Sequence, residues 1–169
     1  MRVMGFRAEK DAVHWALVSG TRDQPVILTH DRLRAPDDLS EPDVLRWLRS
    51  EIQFLLVQHR PDGIAIRLVE CNPATFKTPK GLSFVYRRAR VEGILLEATC
   101  TRQDEASRRR TVESGDESTG TLLRNLFAYQ DGRKVDWQDI KSQSRRQAIL
   151  IAAKSLPCVA NSSLPDEVS

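Results

Sequence analysis

The sequence predicts an α/β fold built on a five-stranded mixed sheet, three strands antiparallel and then two parallel, flanked by helices. Three observations predict it. Three short apolar segments open the chain with tight polar connections between them, the pattern of an antiparallel meander. A stretch of helical period follows, and then a short apolar run; strand, helix and strand of this length imply a right-handed crossover and parallel pairing with the first strand. Beyond that the chain continues with a helix, a strand and two more helices, so the element order reads βββαβαβαα.

Residues 2–8 and 12–19 form the expected hairpin around "AEKD", and "PVILTHDRL" (25–33) follows the turn "GTRDQ". "APDD" breaks the strand pattern. Ser40 is a candidate N-cap, with Glu41 in the first turn and Asp43 three residues on. Val44, Leu45, Leu48, Ile52, Leu55 and Leu56 then recur at helical spacing. "HRPDG" (59–63) ends that helix, and "IAIRLV" (64–69) reads as a short buried strand. After the loop at 70–81, a helix is expected over about 82–99. Leu82, Val85, Tyr86, Ala89, Gly93 and Leu96 would share one face, with Ala89 and Gly93 small enough for close approach to the sheet or a partner. Arg87, Arg88 and Arg90 fall off that face, as a solvated basic surface or as contacts for an anion. A fifth strand is expected at 108–114, a short helix at 121–129 and a last helix at 137–155. The organisation is one domain over 1–156 and a polar tail over 157–169.

The chain has 169 residues, a hydrophobic fraction of 40% and a net charge of +3, from 26 Lys and Arg against 23 Asp and Glu. That balance permits nucleic-acid contact without demanding it. No apolar run reaches the ~20 residues of a membrane-spanning helix, and charges at Arg7, Glu9, Lys10 and Asp11 stand where a leader would be apolar. Cys71, Cys100 and Cys158 form no CxxC pair, so no disulfide framework or zinc site is indicated, and a cytoplasmic location is the expectation. His14, His30 and His59 lack ligand spacing. Ser83 and Ser144 have no evident His partner for a hydrolase triad. "PKGLSF" has a single glycine and is no phosphate-cradling loop. No cofactor is expected.

The order of elements, with "RVMGF", "VHWALV", "GIAIRLVE", "RARVEGILLEA" and "SRRQAILIAA" in sequence from Met1 to about Leu156, resembles the RuvC-type Holliday-junction resolvases of the RNase H-like superfamily. Members of that family cut nucleic acid with metal ions held by four carboxylates. Two hard cations about 4 Å apart must be charge-balanced and fixed against the scissile phosphate. The resemblance places the first carboxylate at Arg7, the second at Arg67 and the last two at Ser144 and Gln147. An arginine ligates no metal and stays protonated at any working pH. The resemblance therefore implies a nuclease fold whose metal site is degenerate. A relocated site drawn from Glu9, Glu113 and Asp139 is the alternative.

Arg7 and Arg67 are expected on adjacent parallel strands, where an uncompensated pair of like charges is costly. Glu9, Glu113 or Asp136 neutralises them in a structural ion network, or the cleft binds an anion such as a backbone phosphate, which arginine suits through bidentate hydrogen bonding, or a protein partner's carboxylates answer them. In the second case Arg7, Arg67, Arg87, Arg88 and Arg90 are the candidate anion-binding residues. Three functions stay open. One is a non-catalytic protein that binds DNA or RNA or serves as a subunit of a nucleic-acid-processing complex. The second is an interaction protein with a protein partner that reuses the fold. The third is a metal-dependent nuclease with displaced carboxylates. Homodimerisation is implied by the resemblance alone, since the resolvases act as dimers.

Overall fold

The computed structural model describes residues 1–68, 77–100 and 139–158 in full, and residues 109–113 as backbone. The elements are β1 (Arg2–Ala8), β2 (Ala12–Gly20), β3 (Pro25–Arg34), α1 (Glu41–His59), β4 (Gly63–Arg67), α2 (Pro79–Cys100), β5 (Arg109–Glu113) and α3 (Gln143–Lys154). The sheet order is β3-β2-β1-β4-β5. β1–β2 and β2–β3 pair antiparallel, with a bulge at Leu17/Val18, while β1–β4 and β4–β5 pair parallel. This is an α/β fold with a mixed sheet. Strands β1 to β4 are described with their side chains, and β5 through its backbone pairing with β4.

Alternation along the strands divides the core in two. Met4, Phe6, Ala8, Val13, Trp15, Leu17, Ile64 and Ile66 face α1 and α2. Val3, Ala16, Val18 and Ala65 face α3. On α1 the expected apolar stripe is observed: Leu48, Ile52, Leu55 and Leu56 are buried. Burial of such side chains contributes roughly 1.5–3 kcal/mol each. Ser40 sits at the N-cap in extended conformation, but its side chain caps no backbone N–H. Its hydroxyl donates instead to the Asp43 carboxylate. Arg60 ends the helix in the left-handed region, at φ 43°.

Two helices depart from expectation. The buried face of α2 is Arg88, Val91, Leu95, Ala98 and Thr99, not the stripe through Ala89 and Gly93, which are both exposed. A Cβ built at Gly93 meets nothing within 4 Å. Val91, Leu95 and Ala98 supply more apolar area than the small residues do, and Arg88 interrupts their stripe and disguises it. The last helix begins at Gln143, where the Ser142 side chain accepts from the Arg145 N–H. Asp139 therefore stands in an exposed turn before the helix rather than inside it. The expected helix at 121–129, most of the loop at 70–81, Cys71 and Asp136 lie outside the described residues. No helix among the described residues is long and apolar enough to cross a membrane.

Candidate functional site

The register lines up one residue from every strand. Arg32 pairs with His14, His14 with Arg7, Arg7 with Arg67 and Arg67 with the backbone position of Glu113. Residues paired across neighbouring strands share a face of the sheet. This line shares parity with Val3, Ala16 and Ala65, and so lies on the face that α3 covers. It sits toward the C-terminal ends of β1 and β4, just beyond the apolar core.

Arg7 and Arg67 are thus neighbours, as expected. The Arg7 Nη1 donates to the Arg67 carbonyl at 3.2 Å and to the Leu68 carbonyl at 2.7 Å. Backbone oxygens at the end of β4 carry part of the compensation that the sequence assigned to an acid. Glu9, just past β1, is engaged elsewhere. Its Oε1 lies 3.2 Å from His14 Nε2, and its Oε2 lies 3.3 Å from Arg32 Nη2. Burial pushes the Glu9 carboxyl up, but the hydrogen bond from Ser144 and the charges of His14 and Arg32 outweigh it, leaving its pKa below the ordinary value. Ser144 is in the first turn of α3, where the helix dipole also favours an anion.

His14 is 3% exposed. Burial holds its pKa below the ordinary value; Arg32 and Arg145 push the same way, and Glu9 opposes them. His30 is shifted down by burial and by Arg145. Arg145 therefore projects its charge onto both histidines from the start of α3. Arg88, 9% exposed, sends Nε to within 3.3 Å of Glu92 Oε1. Burial lowers its pKa, Glu92 and Glu9 oppose that, and Arg67 adds to it. Arg88 thus lies within electrostatic reach of both Glu9 and Arg67, and its expected place on a solvated face is corrected. Buried nitrogens of His14 (Nδ1), Arg88 (Nη2) and Arg145 (Nε) have no hydrogen-bond partner among the described residues.

Arg87 and Arg90 are placed differently. Both are exposed. Arg90 Nη1 donates to Glu41 at the start of α1, and Arg87 lines a groove beside Lys10. Gln147 is half-buried on α3, three residues past Ser144. Among the described residues, no three of His, Cys, Asp and Glu gather in a way that could hold a metal ion. Sequence reasoning missed His14, Arg32 and Arg145. The available signal was parity: His14 occupies an inward position of β2 otherwise held by Ala and Val.

No family model matches the chain, and no curated protein matches it in sequence. Solved structures do match. RuvC of Thermus thermophilus is 12% identical, with a TM-score of 0.63 over 90% of this chain and 92% of that one. The same protein in complex with a Holliday junction substrate gives 0.60 at 12% identity, covering 90% of each chain. The yeast mitochondrial Holliday junction resolvase gives 0.55 at 13% identity, covering 89% of this chain and 75% of that one. The chain has the RuvC-like, RNase H-like fold.

Proposed function

We propose that this is a non-catalytic RuvC-like protein whose cleft binds the phosphate backbone of nucleic acid, on its own or as a subunit of a nucleic-acid-processing complex. The observation that carries the reading is the paired placement of Arg7 and Arg67 at the C-terminal ends of β1 and β4. The donor set there does not fit divalent cations. Arginine is no ligand, and Glu9, the described carboxylate beside the line, is held by His14, Arg32 and Ser144. The same set suits an oxyanion. Arg7 and Arg67 pair at the strand ends, Arg32 and Arg145 act on His14, whose neutral form is favoured, and Arg88 lies within electrostatic reach of Glu9 and Arg67. Guanidinium groups recognise phosphate oxygens through paired hydrogen bonds.

Phosphate contacts carry affinity without sequence information, so binding is expected to be salt-sensitive and tolerant of sequence. The test is a salt titration of DNA and RNA binding by the parent and by Arg7→Ala plus Arg67→Ala, with folding checked for both. The double variant should lose about one unit of salt slope per contact removed. An unchanged slope and affinity would move the site elsewhere. No binding by the parent at low salt would leave the interaction-protein reading in its place.

A further inference from the structure

On the other side of the β1–β2 turn lies a groove that the cleft does not include. It is an open groove of about 260 Å³ between that turn, the β3–α1 connection and α2, and Lys10, Asp11, Pro36, Leu39, Glu41 and Arg87 are among the residues that line it. That is just under the ~300 Å³ at which small-molecule pockets begin, room for part of a nucleotide with the remainder lying along the open surface. Its charges are unequally engaged. Asp37, at its rim, accepts from Arg34 at 2.9 Å. Glu41 accepts from Arg90. Asp11 lies 3.9 Å from Arg32 Nη2. Lys10 and Arg87 form no such pair among the described residues, and both are exposed. Two unengaged cations therefore converge on a groove whose acids are already answered. The floor is apolar, from Ala35, Pro36, Leu39 and Val44. A second hollow shares Arg87 and Glu41 and continues to Tyr86. The Tyr86 ring is 61% exposed.

From these observations we infer that the groove is a nucleotide subsite. Lys10 and Arg87 hold a phosphate, and the apolar floor with the Tyr86 ring takes the sugar and base. Cations flanked by an exposed aromatic ring are the chemistry that binds unpaired nucleotides, because every base presents a π face. A bare oxyanion would use the two cations but gain nothing from Pro36, Leu39 or Tyr86. The inference rests on the nucleic-acid reading and extends it. Glu9 faces the cleft while its neighbour Lys10 lines the groove, so one strand crossing the turn would set successive phosphates on the two sites.

The test uses deoxyadenosine 5′-monophosphate and inorganic phosphate, titrated into the full chain and followed by amide chemical shifts. The mononucleotide should shift Lys10, Leu39 and Arg87 saturably, and more tightly than inorganic phosphate does. Lys10→Ala plus Arg87→Ala should weaken it by at least about tenfold, as expected for the loss of charge-assisted hydrogen bonds. Tyr86→Ala should weaken the mononucleotide and leave inorganic phosphate unchanged. These positions are exposed, and the spectra themselves report whether each variant is folded. Absence of shifts in the groove, equal affinity for the two probes, or an unaffected Lys10/Arg87 variant would each overturn the inference. The Arg7/Arg67 variant separates the two sites. It should retain the groove shifts whether or not the cleft binds oligonucleotides, so failure of the cleft reading appears as parent and variant binding oligonucleotides alike.

Discussion

Arg7 and Arg67 occupy paired positions on adjacent parallel strands, and the Arg7 guanidinium turns across to donate to the carbonyl oxygens of Arg67 and Leu68. Two like charges side by side at the end of a core are tolerable because at least one of them is solvated by the backbone. Hydrogen bonds from charged donors are worth about 1.5–3 kcal/mol, less at a half-exposed site. Relief of repulsion from Arg67 offsets part of the loss. Arg7→Met, which keeps the stem and removes the donors, should therefore lower stability by about 1 kcal/mol. Urea denaturation measures it; an unchanged midpoint would show that the carbonyl contacts contribute nothing net.

Stability should fall on acidification in two stages. His14, His30 and His59 all have pKa values held below the ordinary 6.5, with burial as the first cause. The unfolded chain takes up these protons as pH drops below about 6.5 while the folded protein resists, so stability declines from there. Glu9 acts lower down. Its folded pKa lies below the ordinary 4.5 despite burial, so its contribution is present above 4.5 and is lost as pH falls through the depressed folded value. His14→Gln should flatten the first stage and also reduce the second, because His14 helps to hold the Glu9 carboxyl down. Denaturation midpoints between about pH 2 and 8 for both proteins decide it; a parallel pH profile in the variant would remove His14 from the account.

Purified protein is expected to show no Mg²⁺- or Mn²⁺-dependent cleavage of junction, duplex or RNA–DNA hybrid substrates. Two-metal chemistry needs several carboxylates fixed around both ions, and the described cleft offers Glu9 among arginines. Arg7→Asp should remain inactive, because one added carboxylate does not hold two cations beside Arg67. Robust cleavage by the parent, abolished in Glu113→Gln, would establish the displaced-carboxylate nuclease instead.

The pairing of Arg7 with Arg67 was legible in the sequence because it needs only strand parity and a crossover: apolar runs of known polarity fix which residues are neighbours. The α1 face was legible for a similar reason, since its leucines and isoleucine repeat without interruption. The partner of Glu9 was not legible. His14 and Arg32 reach it through the antiparallel register, and Ser144 reaches it from 135 positions further along the chain, a contact no local pattern encodes. The α2 face was misread because a charged residue sits in its buried stripe. Arg88 is tolerated there with Glu92 one turn on, since a long basic side chain can bury its stem while its head stays paired. The start of α3 was misplaced because its cap, Ser142, follows polar residues that carry no break signal.

Two glycines now carry opposite expectations. Gly5 lies in β1 between Ala16 and Ala65, directly beneath α3. A Cβ there would collide with the Ala148 carbonyl and stand 2.8 Å from the Ala152 Cβ and 3.0 Å from its backbone nitrogen. Backbone cannot yield as a flexible side chain does, so α3 would have to lift off the sheet, and α3 carries Ser144 and Arg145 to the cleft. Gly5→Ala should cost about 1–3 kcal/mol or more, and it should weaken nucleic-acid binding beyond the loss of folded protein. Gly93 is the reverse case. It sits inside α2, exposed, with nothing within 4 Å of a Cβ. Gly93→Ala should stabilise the protein by about 0.5–1 kcal/mol, because alanine loses less backbone entropy in a helix. Thermal melts of the two variants, run with solution mass measurements, check both. Destabilisation by Gly93→Ala together with a fall in mass would mean that this face of α2 is covered by a second copy of the chain, and that the small residues Ala89 and Gly93 serve an interface rather than open solvent.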